Sequence, residues 1–336
     1  MWIGTARAAL GWAAALVLTA SGCGGPSGSD APSAALDDVV DWGREIHLEE
    51  NEEVINVRPV VRFDPRGGFL VADAQESQFR RYGASGDLLA VFGRRGGGPG
   101  EFRSPAAVVR LRDGTLVGFD EDGRYAQFDS AGGSVLRAGR VPVPSISSVE
   151  VVDDTTLLSV VGLGTGPRLH TWIPFSDRVE RSFFTPPFRR ISASVHAAVG
   201  AGGIAATFLI SDTIYIFGPD GEERMKVPFR TERYRPYADP SSWPPPPDWQ
   251  YSFSILSRAD WLPDGTLLVR YGRFTESGTV WSLANVTLDG VVRFDLADVP
   301  QLLTVGGDGR ELVFVAPGAD APNVWRVGAY RAAGRR

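Results

Sequence analysis

Few side chains in this sequence are of the types that carry out covalent or metal chemistry. The 336 residues include one cysteine, Cys23, and three histidines, His47, His170 and His196, which form neither an HxxxH nor an HxH spacing. A single cysteine cannot form an intrachain disulfide or a cysteine-based zinc site. The sequence also contains no GxSxG nucleophile elbow. These residues favour a protein that binds over one that catalyses.

Two loops resemble ligand-binding motifs but lack parts that those motifs require. GRRGGGPGE at 93–101 is glycine-rich, but it has no Lys-Ser/Thr ending and precedes no predicted helix, so it is not a P-loop. FDEDGR at 119–124 resembles the start of a calcium loop, but Ala131 stands where a later carboxylate is needed. We interpret the first loop as a connection between structural units and the second as a β-turn.

The largest group of candidate binding residues consists of arginine and tryptophan side chains in predicted loops. The longest loop, 230–250, contains four successive prolines, which favour a stiff polyproline II segment. Arginine and aromatic side chains are enriched at binding hot spots. We therefore predict that one face of the molecule binds an anionic small molecule, a glycan or an acidic protein segment. The candidate residues are Arg94, Arg95, Arg103, Arg189, Arg190, Arg233, Arg235, Trp243 and Trp249.

The alternative interpretation is a solvated face with no ligand. The arginines would then pair with nearby carboxylates, and the tryptophans would pack against the body of the protein. The acidic residues available as partners are Glu101, Glu232, Asp239 and Asp248.

The overall composition is typical of a globular protein. The chain is 43% hydrophobic and 22% charged, which excludes a mostly disordered chain. The formal net charge is −6, whereas a general nucleic-acid binder usually carries a basic excess. We expect a monomer that binds no nucleic acid and needs no cofactor.

The N-terminal segment has the features of an export signal. Arg7 precedes an apolar run at 8–20, which is too short to span a bilayer and has the length of a signal-peptide core. The small residues at 20–22 lead directly into Cys23. This resembles a bacterial lipoprotein signal, whose lipobox ends in a small residue and an invariant cysteine. The resemblance implies that Cys23 is acylated and becomes the mature N-terminus; the alternative is an ordinary secretory signal.

Short β-rich runs alternate with Gly, Asp and Pro turns beyond residue 40, a pattern typical of all-β proteins. A turn followed by a strand, as in GGFLVAD at 67–73 and DGTLVGFD at 113–120, recurs six times with a mean spacing of about 48 residues. Repeats of roughly 40–50 residues with four strands each are typical of propeller blades.

The number of predicted strands matches a closed ring of four-stranded blades. The first five units each contain four strands, but the sixth contains only three, at 301–307, 311–317 and 323–330. The segment 44–51 at the other end of the chain supplies the missing strand. We therefore predict an all-β, six-bladed β-propeller with four-stranded blades, whose last blade is closed by the N-terminal strand so that no edge is left unpaired.

The stretch 71–109 resembles an NHL repeat. The residues that carry the resemblance are Asp73, Phe79, Gly86, Phe92, Gly93, Gly98, Gly100, Phe102 and Pro105. The whole chain is similar to bacterial six-bladed β-propeller lipoproteins.

These features predict four segments. They are a lipoprotein signal peptide at 1–22, a flexible lipid-anchored tether at 23–40, the propeller at 41–330 and a C-terminal tail at 331–336. We expect the protein to lie outside the cytoplasm, held to membrane lipid through Cys23. Gly24, in place of an aspartate, favours the outer membrane if the cell has one.

We expect a non-catalytic binding or scaffolding module that acts through the arginine- and aromatic-rich face. The alternative is a calcium-dependent hydrolase or lactonase with its site in the central channel. The gluconolactonase and regucalcin-like propellers of that kind use a Glu-Asn-Asn-Asp set at strand starts. This chain has four asparagines, and none begins a predicted innermost strand.

Overall fold

The computed structural model describes residues 36–49, 60–143, 145–162, 166–176, 178–185, 194–238, 246, 248–316 and 323–331. The chain forms six four-stranded antiparallel sheets, arranged in a ring as the blades of a β-propeller. The predicted fold class is confirmed.

The strands follow one another blade by blade. The described chain begins with β1 (Val40–His47). Blade 1 contains β2 (Val60–Phe63), β3 (Phe69–Asp73), β4 (Gln78–Tyr82) and β5 (Leu88–Phe92), and the two-residue strands β6 (Arg94–Arg95) and β7 (Glu101–Phe102) follow it. Blade 2 contains β8 (Pro105–Arg110), β9 (Leu116–Asp120), β10 (Arg124–Phe128) and β11 (Val135–Arg140). Blade 3 contains β12 (Ile146–Val151), β13 (Leu157–Val161), β14 (Leu169–Trp172) and β15 (Val179–Phe183).

The second half of the ring has the same organisation. Blade 4 contains β16 (Val195–Gly200), β17 (Gly203–Phe208), β18 (Thr213–Phe217) and β19 (Glu223–Pro228). A short 3-10 helix, Trp249–Tyr251, precedes blade 5, which contains β20 (Ser254–Trp261), β21 (Leu267–Thr275), β22 (Gly278–Val286) and β23 (Val292–Leu296). Blade 6 contains β24 (Leu302–Val305), β25 (Glu311–Val315) and β26 (Val324–Tyr330), and β1 is its fourth strand.

A glycine recurs near the start of the second strand, and in blades 1 and 4 the backbone at that glycine approaches the third strand closely. Gly68 has a φ of +83°, and a Cβ atom on it would lie 2.1 Å from the carbonyl oxygen of Tyr82. Gly203 has a φ of +111°, and its Cβ would lie 2.2 Å from the carbonyl oxygen of Phe217. Glycine alone fits both the conformation and the space. The repeated glycines of the sequence therefore mark the hairpins between first and second strands.

The phenylalanines of the NHL-like stretch pack between blades 1 and 2. Phe79, Phe92, Phe102 and Phe128 are buried in one hydrophobic cluster. The ring centroids of Phe79 and Phe102 are 4.7 Å apart, and those of Phe92 and Phe128 are 5.1 Å apart, both in edge-to-face contact. Such contacts add to the stabilisation from burial. This cluster holds two neighbouring blades together.

The N-terminal strand completes the last blade, as predicted. β1 pairs antiparallel with β26, beginning with Val40 opposite Tyr330. The predicted bounds of this strand, 44–51, are wrong, because the strand starts four residues earlier and ends at position 47. The residues before 44 belong to the strand because pairing with β26 continues across a bulge between Trp42 and Arg44, which the strand count does not indicate.

Candidate functional site

The first strands of the six blades line a central cavity. Side chains from β2, β8, β12, β16, β20 and β24 surround a volume of about 650 Å³. Small-molecule sites usually have volumes of roughly 300–1,000 Å³. Val60 and Val151 form apolar parts of the wall and are 42% and 38% exposed. The polar part of the wall consists of charged residues within otherwise largely apolar strands.

One ion pair in the cavity joins blade 1 to blade 3. Arg62 on β2 donates from Nη1 and Nη2 to the two carboxylate oxygens of Glu150 on β12, at 2.6 and 2.5 Å. Burial disfavours the charge of Arg62, but the Glu150 carboxylate outweighs burial, so the pKa of Arg62 is raised. Because blade 2 lies between the two partners in the chain, this pair is a direct link between non-consecutive blades.

A second ion pair lies within β20 of blade 5. Arg258 donates from Nε and Nη2 to the two carboxylate oxygens of Asp260, at 2.5 and 2.6 Å. The Nη1 of Arg258 also donates to the Leu303 carbonyl oxygen of blade 6, at 3.0 Å. Burial favours the neutral form of Asp260, but Arg258 outweighs burial and lowers the pKa of this carboxyl. The pair is therefore ionised, and it also ties blade 5 to blade 6.

A third guanidinium at the cavity, Arg270 on β21, has no carboxylate partner in the described part of the chain. Its Nη1 donates to the Leu302 carbonyl oxygen at 2.6 Å, and its Nη2 donates to the Ser257 hydroxyl at 2.9 Å. The guanidinium also lies over the Trp281 ring, 4.2 Å from the centroid. Burial, and then the charge of Arg258, lower the pKa of Arg270 to about 9. The Asp260 carboxylate acts in the opposite direction, but Arg270 forms no salt bridge among the described residues.

The lining also includes uncharged polar side chains, among them His196 and Ser148. His196 Nδ1 on β16 and Ser148 Oγ on β12 are buried and have no hydrogen-bond partner among the described residues. Burial, followed by the charge of Arg258, lowers the pKa of His196 to about 3. Arg62 and Arg270 act in the same direction. His196 is therefore neutral at neutral pH, and both side chains have an unused hydrogen-bonding atom, which is uncommon for buried polar groups.

The carboxylates of this cavity are paired with arginines. Within the described residues, no group of three or more His, Cys, Asp or Glu side chains could hold a metal ion. Glu150 and Asp260 are each bound by an arginine, so a calcium ion would have to displace an arginine to bind either carboxylate. The calcium-dependent alternative stays a prediction.

The predicted arginines after blade 1 have partners within their own surroundings. Arg94 is 78% exposed, and its Nη2 lies 2.9 Å from an oxygen of Glu101. Arg95 donates from Nη2 to the carbonyl oxygen of Gln75 at 2.9 Å. Arg103 has an exposed side chain. The Arg94 pair is one of those expected if the loops form a solvated face.

The predicted residues after blade 4 are arranged in a similar way. Arg233 donates from Nη1 to the carbonyl oxygen of Asp295 at 2.8 Å, and Arg235 has an exposed side chain. Trp249 is half-buried and packs against Phe253, with ring centroids 5.0 Å apart. Trp249 therefore contributes to packing as well as to the surface.

The ring separates these two groups of candidate residues. In a ring of six, the connection after blade 1 and the connection after blade 4 lie on opposite sides of the channel. Four predicted residues, Cys23, Arg189, Arg190 and Trp243, lie outside the described residues. The binding role of the loops stays a prediction.

The glycine-rich loop 93–101 binds its own glutamate. β6 and β7 pair in parallel, and the N–H groups of Gly97 and Gly98 donate to one carboxylate oxygen of Glu101, at 2.9 and 2.8 Å. The Gly98 N–H, together with Arg94, lowers the pKa of Glu101. The Gly97 and Gly98 amides are therefore already hydrogen-bonded within the loop. The loop lies between β5 and β8, which confirms the interpretation as a connection between blades.

The segment 119–124 contains the turn between β9 and β10, as predicted. The Gly123 N–H donates to the carbonyl oxygen of Asp120 at 3.0 Å. The Asp120 carboxylate accepts hydrogen bonds from the N–H groups of Arg103 and Ser104, at 2.9 and 2.6 Å. Its oxygens thus hold the connection between blades 1 and 2 in place.

The site residues predicted from the sequence lie in loops, and the charged cavity residues were not among them. Arg62, Glu150, Arg258 and Asp260 lie inside first strands, where each has an apolar residue next to it in the sequence. Charged side chains are rarely buried unless they are paired. Charged residues within predicted innermost strands were the signal that could have identified this site.

Comparison with known proteins supports the fold. No protein-family model and no curated protein matches the chain. A solved structure described as a "putative exported protein" from Bacteroides fragilis matches with a TM-score of 0.62 and 13% identity, covering 90% of this chain and 98% of that chain. At this identity the match shows a common fold alone.

Proposed function

We propose that this protein is an exported, lipid-anchored binding protein whose ligand occupies the central cavity of the propeller. The observation that carries this proposal is a cavity of about 650 Å³ whose lining residues His196 and Ser148 each hold a buried polar atom, Nδ1 and Oγ, with no hydrogen-bond partner among the described residues. An unmade hydrogen bond at a buried polar atom is unfavourable. A ligand that supplies these bonds would therefore gain free energy on binding.

The state of the ionisable groups favours binding over catalysis. Glu150 and Asp260 are each held in a two-hydrogen-bond ion pair, whereas a general base must be free to accept a proton. His196, with a pKa of about 3, is a poor base at neutral pH.

Two observations support export and anchoring. The N-terminal segment has the length and small residues of a lipoprotein signal, and Cys23 stands at its end. A protein with a similar fold is itself described as exported. Along the described residues, no helix has the length and apolar character needed to cross a membrane.

Filling the cavity tests the proposal. Ala198 lines the cavity and is 9% exposed, so Ala198→Phe would occupy space that a ligand needs. Ala138→Phe, on the exposed outer strand β11, is a matched control. Each protein is dialysed to equilibrium against a small-molecule extract of the source cells, and mass spectrometry measures enrichment.

We expect the wild type and Ala138→Phe to enrich the same compound, and Ala198→Phe to lose that enrichment. Equal enrichment by all three proteins, or enrichment by none, would contradict the proposal. Circular dichroism and melting temperature show whether each variant is folded.

A further inference from the structure

We infer that the ligand of the central cavity is an organic anion, with an apolar body and a carboxylate or comparable anionic group. This inference rests on the proposed function, because it assigns the chemical class of ligand to that same cavity. Two observations support it. Arginines outnumber carboxylates in the cavity lining, and the lining has apolar as well as polar parts.

The cavity lining contains four arginines and two carboxylates, and one of the arginines has no carboxylate partner in the described chain. Three of the four arginines have a carboxylate partner, and these pairs are Arg62 with Glu150, Arg110 with Asp64, and Arg258 with Asp260. The fourth, Arg270, is held in the described chain by a carbonyl oxygen, a hydroxyl and an aromatic ring. Asp64 lies outside the lining and also pairs with Arg81, so with His196 neutral the cavity has an excess of positive charge.

An anion is the ligand that this excess favours. In a partly buried site the attraction between opposite charges is much stronger than in water. The depressed pKa of Arg270 has burial as its main cause and Arg258 as its second. A bound anion would offset both effects, whereas a cation would add to them.

The uncharged lining residues fit an anion that has an apolar part. The Ser148 hydroxyl can rotate, and one ring nitrogen of neutral His196 carries a proton, so both side chains can donate hydrogen bonds to an anionic group. Val60 and Val151 supply exposed apolar wall for the rest of the molecule. The volume of about 650 Å³ accommodates a compound larger than a simple inorganic ion.

Three probes of similar shape test whether the cavity prefers an anionic, a neutral or a cationic ligand. Benzoate, benzamide and benzamidine share a ring and differ in charge, being anionic, neutral and cationic. Isothermal titration calorimetry of the full-length protein in detergent, at low ionic strength, measures the dissociation constant of each. We expect benzoate to bind at least about tenfold more tightly than benzamide, and benzamidine to bind most weakly.

Four proteins then vary the charge of the cavity. Glu150→Gln raises the net charge by one unit, Arg62→Gln lowers it by one unit, and the double variant restores the wild-type value. We expect benzoate affinity to be highest in Glu150→Gln, lowest in Arg62→Gln, and similar in the double variant and the wild type, with steps of about tenfold. If the ion pair were only structural, all three variants would lose stability without producing this order. Melting temperatures are measured in parallel.

The outcomes distinguish the inference from the proposed function. If benzamide or benzamidine binds as tightly as benzoate and Ala198→Phe abolishes that binding, the cavity is a ligand site but the anionic class is wrong. If none of the three probes binds the wild type or Glu150→Gln at 10 mM, the inference is also wrong, and dialysis against the cell extract decides the proposed function separately. Benzoate binding that Ala198→Phe leaves unchanged would place the anion elsewhere and overturn the inference.

Discussion

His196 lies near three arginines of the cavity. It is neutral in the folded protein at pH values where it would be protonated in the unfolded chain. Burial and the charge of Arg258 lower the pKa of His196 from the ordinary value of 6.5 to about 3. Between these two pH values the unfolded chain binds a proton that the folded protein does not. The folded state is therefore destabilised by this group as the pH falls from 6.5 towards 3.

Replacing His196 should reduce the acid sensitivity of the protein. We expect the free energy of unfolding of the wild type to fall by about 3 kcal/mol between pH 7.5 and 4.5 through this residue alone, and His196→Asn to lose that part of the pH dependence. Urea denaturation at the two pH values measures it. His47→Asn is the control, because the His47 side chain is 72% exposed. An equal pH dependence in all three proteins would contradict the assignment to His196.

At the scale of elements, the pairing of β1 with β26 determines whether the last blade is complete. The sheet order is β1-β26-β25-β24, so β26 becomes an edge strand when β1 is absent. Val40 and Ile46 on β1 are both 1% exposed, so the strand contributes buried apolar surface as well as hydrogen bonds. Exposed edges of this kind promote aggregation.

Removing β1 should destabilise the protein, and returning it as a separate peptide should restore stability. We expect a chain that begins at residue 50 to have a lower melting temperature than one that begins at residue 36, and to aggregate on heating. A synthetic peptide of residues 36–49 should raise the melting temperature of the shorter chain. A peptide with Val40→Asp and Ile46→Asp is the control and should have no effect. Identical melting temperatures of the two chains would show that β1 does not stabilise the ring.

The repeat made the fold predictable, whereas the site required contacts between strands. The repeat period, the turn residues and the strand count indicated six blades. Gly68 and Gly203 show why the repeat is visible in the sequence, since each occupies a turn position that only glycine fits. The bulge at Trp42 displaced the predicted first strand. The pairing of Arg62 with Glu150, 88 positions apart, follows from the curvature of the ring, and no local pattern in the sequence indicates it.

At the scale of the whole molecule, the N-terminal tether would leave the propeller at its circumference. β1 is the outermost strand of blade 6, whereas β24 of the same blade lines the cavity. A lipid on Cys23 would thus be joined to the ring at its rim.

Anchoring and ligand binding should therefore be separable. We expect the wild type to enter the detergent phase on Triton X-114 partitioning and Cys23→Ser to stay in the aqueous phase, because an acyl chain supplies the membrane affinity. Ser27→Ala, in the predicted tether, should behave as the wild type. Cys23→Ser should keep its enrichment of the cavity ligand. Partition of Cys23→Ser into detergent would show that the anchor is not this cysteine.

The contact between β1 and β26 also has a consequence for how the protein folds. Val40 and Tyr330 are joined across almost the whole length of the described chain. Contacts between residues so far apart in sequence form slowly, because the intervening chain must first be ordered. A nascent chain would hold β1 without a partner until β26 had been synthesised. Ring closure thus requires the synthesis of β26, and a chain terminated before β26 would leave an open blade for proteases to recognise.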